Sequence, residues 1–176
     1  MKEGGLQGDT MREIDATKLS GDIVNLWMNR WLLLTAGTMA DCNMMTVAWG
    51  SIGCMWSRPF AQIVVRPQRY TRKYIERSDS FTLCAFPEKC RPDLQALGTL
   101  SGRDGAKLSK TALTLKASRQ VAAPSYNEAN LILECRKIYH QDMDPRGFED
   151  KTVEKNYAAK DYHRIYFGEI LSVSCE

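Results

Sequence analysis

Two arginines three residues apart close an apolar run in "VVRPQRYTRK", where Arg66 and Arg69 stand just before Thr71, a residue type suited to begin a helix. Guanidinium groups grip phosphate oxygens in a fixed fork, and the first amides of a helix carry partial positive charge. A strand end, two guanidiniums and a helix start, with Tyr70 between them, would together hold a phosphate monoester. The competing reading makes Arg66, Arg69, Arg72, Lys73 and Arg77 a solvated basic face.

A second anion candidate is "LSGRDGAK". Glycines at 98, 102 and 105 permit positive φ, which would let backbone amides converge, while Ser101, Arg103 and Lys107 add side-chain donors around Gly102. The alternative is an ordinary turn in which Asp104 pairs with Arg103.

Chemistry of another kind is offered by "NMMTVAWGS", Asn43 to Ser51, a strand-forming run with more polar groups than a core strand needs. Where a strand leaves its ladder, its free amides and carbonyls can meet the edge of a planar heterocycle, and Ala48 and Gly50 are small enough to let a ring approach. Asn43, Thr46 and Ser51 would give directional contacts and Trp49 a flat wall. A strand with one wet face, Thr46 and Ser51 outward and Trp49 in the core, explains the same residues. His163, in "DYHRIYFGEI", opens the last strand and is either a group that works at a site or a satisfied structural histidine.

Several chemistries have no signature. His140 and His163 lie in no paired-ligand context, so no catalytic metal is expected. G-x-S-x-G is absent, and "GTLSGRDGAK" matches neither the P-loop nor G-x-G-x-x-G. Six cysteines without a C-x-x-C pair read as reduced thiols acting as small hydrophobes.

The elements that must position these residues belong to a chain of 176 residues, 44% hydrophobic and 26% charged, with a net charge of +3. That composition suits one globular domain, here residues 19–176 after a flexible lead-in at 1–18. The longest apolar run, "WLLLTAG", is too short to span a bilayer, and the N-terminus has no apolar signal region, so a cytoplasmic protein with no membrane partner is expected. "SGDIVNLWMNRW" reads as a helix capped by Ser20, with Ile23, Leu26 and Trp27 inward. "WLLLTAG", "MMTVAWGSIG", "FAQIVVRP", "SFTLCAF", "LTLKAS", "NLILECRKIYH" and "HRIYFGEILSVS" read as strands. Helices are expected at "TRKYIERSD", from Pro92 to Leu97, and for a turn or two after Gly105. Mainly β structure with short helices, as an antiparallel barrel or sandwich, follows.

In this order, the run from "LLLTAGTMADCNMMTVAWGS" through "RPQRYTRKYIERSDSFTLCAFPE", then "LGTLSGRDGAKL", "ILECRKIY" and "DYHRIYFGEI", resembles the flavin reductase-like, flavoredoxin-type family with an FMN-binding split barrel. The likeness extends from about Trp31 to Leu171. It implies a closed six-stranded antiparallel Greek-key split β-barrel, a homodimer, and non-covalent FMN near the subunit interface. It also implies that Asn43, Met44, Met45, Thr46, Val47, Ala48, Trp49 and Ser51 lie along the isoalloxazine ring, largely through main-chain atoms. Arg66, Arg69, Tyr70 and Thr71 would reach the phosphate and ribityl chain; Ser101, Gly102, Arg103 and Lys107 would lie at the phosphate end; and His163 would act near the flavin. The implied activity is hydride transfer from NADH or NADPH to flavin N5 with onward electron transfer. The alternative is an electron carrier reduced by a redox partner protein. A barrel that binds nucleic acid through its basic strip is the reading from another class, and no nucleic-acid partner is expected.

Overall fold

The computed structural model of the chain describes residues 11–176. Much of the expected lead-in therefore lies outside the described residues. Its last part carries β1 (Arg12–Ile14) and a 3-10 turn at Ala16–Lys18 capped by the Asp15 carboxylate. The helix expected after Ser20 is short: α1 (Ile23–Asn25) runs into a π-helical turn over Leu26–Arg30. Its cap is Asp22, not Ser20, because the Asp22 carboxylate accepts the Asn25 amide at 3.1 Å.

The remaining elements are β2 (Leu32–Gly37), β3 (Cys42–Val47), β4 (Gly50–Met55), β5 (Arg58–Val65), α2 (Thr71–Arg77), β6 (Ser80–Ala85), α3 (Arg91–Thr99), β7 (Leu115–Lys116), β8 (Ser125–Tyr126), β9 (Leu131–Asp142) and β10 (Arg164–Cys175). One antiparallel sheet runs in the order β3-β2-β6-β9-β10-β5-β4, with β1 added on β10. β7 and β8 form a separate pair, so "LTLKAS" supplies only two residues of strand.

"MMTVAWGSIG" is two strands. Val47 pairs with Leu32 and ends the β2 ladder, while Gly50 pairs with Ile63 and begins the β5 ladder. Ala48 and Trp49 belong to neither. Because the chain changes partner there, β3 and β4 become the two ends of the strand order and do not pair with each other. The closed barrel expected from the resemblance is thus corrected to a sheet that stays open along one seam. Register shifts between Phe167 and Gly168 and between Ile170 and Ser172 mark bulges in the β9–β10 pair, which increase local twist and bend the sheet.

Strand alternation builds two cores. Leu32, Leu34, Met45, Val47, Ile63, Leu83, Leu133 and Tyr166 pack on one face. Leu33, Met44, Cys84, Leu94, Leu97, Tyr126 and Ile132 pack on the other, beneath α3. Cys84, Cys90 and Cys135 are buried in these cores, and burial pushes the Cys84 thiol up to about 12, in keeping with an inert packing role. Among the described residues no helix is long and apolar enough to cross a membrane.

Candidate functional site

A groove follows the open seam in three adjoining compartments. The central cleft, about 400 Å³, is lined by Trp31, Met45, Thr46, Ala48, Arg66, Arg69, Leu94, Gln95, Gly98, Thr99 and His163. A recess of about 220 Å³ continues it past Ala48 to Trp49, Val64 and His163. At the opposite end a recess of about 160 Å³ is bounded by Asn43, Arg69, Tyr70, Thr71, Ser101, Gly102, Arg103 and Lys107. A larger cavity, about 610 Å³, lies between the β1 segment and the end of β10 and contains none of the binding or catalytic candidates named from sequence.

β3 presents its polar residues to two helices rather than to solvent. Thr46 faces α3 and its hydroxyl donates to the Leu94 carbonyl. Gly98 packs on that contact, since a β-carbon there would lie 3.2 Å from the Thr46 β-carbon. Asn43 is buried and donates from Nδ2 to the Thr71 hydroxyl at 2.8 Å, which donates in turn to the Met44 carbonyl at 3.0 Å. Thr71 is accordingly the first residue of α2, pinned to β3, and not its cap.

The lower recess gathers cations. Arg69 donates to the Gly98 carbonyl, and the buried Lys107 ammonium donates to the carbonyls of Leu97 and Leu100. Both thus sit on the C-terminal end of α3, the negative end of its dipole. Arg103 donates to the Gln68 carbonyl and lies over the Tyr70 ring, 5.1 Å from its centroid. The pairing of Arg103 with Asp104 does not occur. Among the described residues no carboxylate forms an ion pair with Arg69, Arg103 or Lys107, whereas Arg66, Arg72, Arg77 and Arg164 all have one. Burial, and then the Arg69 charge, push Lys107 down to about 8. The expected glycine nest is only partly realised. Gly105 has φ 120°, but Gly102 is required for close approach: a β-carbon there would meet Asn43 Oδ1 at 2.3 Å and the Tyr70 ring at 2.8 Å.

The upper end has a different character. Arg66 shares the central cleft with Arg69 but does not reach the lower recess: it forms an ion pair with Asp161 at 2.5 Å, donates to the Asn156 carbonyl, and stacks on Tyr157. Tyr157 places its hydroxyl 2.9 Å from His163 Nδ1, leaving Nε2 for a ligand. Burial, and then Arg66, push His163 down to about 4, so its imidazole is neutral near pH 7. Trp49 stands 5.4 Å from the His163 ring, half exposed and outside the core.

Of the residues named from sequence, the groove brings together Asn43, Met45, Thr46, Val47, Ala48, Trp49, Arg66, Arg69, Tyr70, Thr71, Ser101, Gly102, Arg103, Lys107 and His163. Met44 turns its side chain into the second core and uses its carbonyl on Thr71. Ser51 lies outside, bonded across the ladder to Gln62, because β4 registers it there. Sequence reasoning missed Trp31, Leu94, Gln95 and Thr99 in the central cleft, and Val64, Gln68 and Leu100 in the two recesses. Its one available cue was that "RPDLQALGT" is amphipathic and must cover a strand.

A family profile described as "Flavin reductase like domain" matches residues 29–176. Among solved structures, flavoredoxin from Methanosarcina acetivorans is similar at 21% identity, covering 84% of this chain and 68% of that one, with a TM-score of 0.66. An FMN-binding domain of a flavin reductases-like enzyme from Shewanella baltica OS155 is similar at 18% identity over 94% of this chain and 77% of that one, TM-score 0.69. The NADH:FAD oxidoreductase SgcE6 of Streptomyces globisporus C-1027 is similar at 12% identity over 84% and 76%, TM-score 0.64. These likenesses give the architecture as the split barrel of such proteins.

Proposed function

The chain belongs to the flavin reductase-like family, and from that premise we propose that it is an FMN-dependent oxidoreductase holding the flavin non-covalently along the seam. The observation that carries this reading is the polarity of the groove. Its lower recess holds three cations with which no carboxylate pairs among the described residues, whereas at its upper end the one cation, Arg66, is paired with Asp161 and the walls include Trp49, Ala48, Val64 and the neutral His163. A flavin mononucleotide has the same asymmetry, an anionic phosphate at one end and a flat heterocycle at the other.

Bound FMN would supply the redox chemistry, hydride uptake from NADH or NADPH at N5 with onward transfer of electrons to a second flavin or a protein. The chain's own residues hold and orient. Arg69, Arg103 and Lys107 bind the phosphate, helped by Ser101 and the α2 start at Tyr70 and Thr71. Ala48 and Trp49, outside both ladders, offer main-chain groups to the ring edge. His163, kept neutral and fixed by Tyr157, offers Nε2 as a hydrogen-bonding group without adding positive charge. Assembly as a homodimer fits the exposed Trp56 and Tyr139, whose rings lie 6.0 Å apart and give a second copy an apolar surface to cover.

The test is a visible spectrum of the purified protein with added FMN, followed by NADH and NADPH oxidation. Saturable flavin binding with turnover supports the oxidoreductase. Bound flavin inert to both nicotinamides but reduced by a low-potential donor protein would instead make it a carrier. Absence of flavin binding would sink both.

A further inference from the structure

Trp31 stands where the two ladders part. It lies one step beyond the last β2–β3 pair, Leu32 with Val47, at the level where β3 gives way to Ala48. Its backbone has φ 64° and ψ 158°, a combination that glycine adopts freely and a tryptophan adopts only against strain. The strain is held by Arg91. Its guanidinium carbon lies 3.2 Å from the centroid of the indole, and its Nη1 donates to the carbonyls of Asn29 and Arg30, the two residues before Trp31. Arg91 itself is not in the lining of the cleft, while Trp31 is, beside Ala48, Thr46 and Gln95.

A side chain that only filled the second core would not need its backbone forced and its ring clamped from outside. We propose that the Trp31 indole is the aromatic wall against which the planar ring of a bound flavin packs, and that Arg91 is a positioning residue that holds the indole there. This rests on the FMN reading above. An indole is electron-rich and an oxidised flavin electron-poor, so contact between them favours binding, and the same contact quenches the flavin's fluorescence.

The experiment compares FMN affinity and flavin fluorescence lifetime in wild type, Trp31→Phe, Arg91→Ala and Trp56→Phe. Trp31→Phe should lengthen the lifetime and weaken FMN binding about two- to tenfold, the range of an aromatic contact. Residual quenching comes from Trp49. Arg91→Ala keeps the indole but frees it, so the decay should spread into several components. Trp56→Phe, beside Tyr139 and outside the lining of all three compartments, keeps an aromatic ring for a second copy to cover and should match wild type. A wild-type lifetime and affinity in Trp31→Phe would overturn the assignment. Should that variant not fold, an unaltered single decay in Arg91→Ala would overturn it equally. Wild-type protein that takes up no FMN fails the flavin reading itself, which is a separate outcome from bound flavin indifferent to Trp31.

Discussion

The amide of Asn43 donates to the hydroxyl of Thr71 across 2.8 Å, and this one bond ties the polar strand β3 to the helix α2 that follows the basic run. Thr71 passes the bond on to the Met44 carbonyl, so all three groups are satisfied although Asn43 and Thr71 are buried. Thr71→Val keeps the shape and removes both bonds, leaving the buried Asn43 amide and the Met44 carbonyl with only their long mutual contact of 3.4 Å. Chemical denaturation should show a loss of about 1–3 kcal/mol, largely restored by Thr71→Ser. A neutral Thr71→Val would mean that water or a shift satisfies the pair.

Arg69 is half-buried, and of its side-chain bonds the structure records one, to the Gly98 carbonyl. Charge-assisted hydrogen bonds contribute about 1.5–3 kcal/mol, so Arg69→Ala should weaken FMN binding about 10- to 150-fold. Riboflavin, which lacks the phosphate, should bind the variant as it binds wild type. Equal losses for FMN and riboflavin in a titration of flavin fluorescence would place the phosphate elsewhere.

Lys107 gives a pH signature with a definite sign. Its value is pushed down to about 8 from the ordinary lysine range near 10.5. Above about pH 8 the folded apo protein sheds this proton while the unfolded chain retains it, so the group's contribution to stability rises between about pH 8 and 10.5. FMN affinity should move the other way, falling as the ammonium is lost. Lys107→Met should flatten both profiles, and riboflavin affinity should show no such fall in wild type.

His163 supplies the acid limb. Held down to about 4 from 6.5, it stays neutral in the fold while the unfolded chain takes up a proton. Stability from this group is full above about pH 6.5 and is lost as pH falls toward 4. His163→Gln should reduce that acid sensitivity in denaturation midpoints and leave FMN bound. Reduction of the bound flavin by nicotinamide should slow in His163→Ala; a wild-type rate would confine His163 to packing.

Most strands were legible because runs such as Leu32 to Leu34, or Ile63 to Val65, concentrate strand-forming apolar residues. The seam was not. Nothing in "MMTVAWGSIG" marks Ala48 and Trp49 as the change of ladder, because partner choice depends on β5, which reaches Gly50 through Gln62 and Ile63. Arg66 and Arg69 look equivalent three residues apart, yet Asp161, 95 positions downstream, draws Arg66 away from the anion recess. In the sequence alone Gly102 marks only a place where positive φ is permitted, which the fold does not use. Its use is set instead by Asn43 and Tyr70, neighbours that only the folded chain supplies.

The groove borrows from β3 at one end of the strand order and from β5 near the other, across edges that no backbone ladder joins. A ligand seated there acts as the pin of a clasp. A ligand that binds only the folded chain, present at a hundred times its dissociation constant, adds about 2.7 kcal/mol to folding. A chain with this gap should therefore melt later when its pin is abundant, and its heat tolerance becomes a gauge of how much flavin surrounds it.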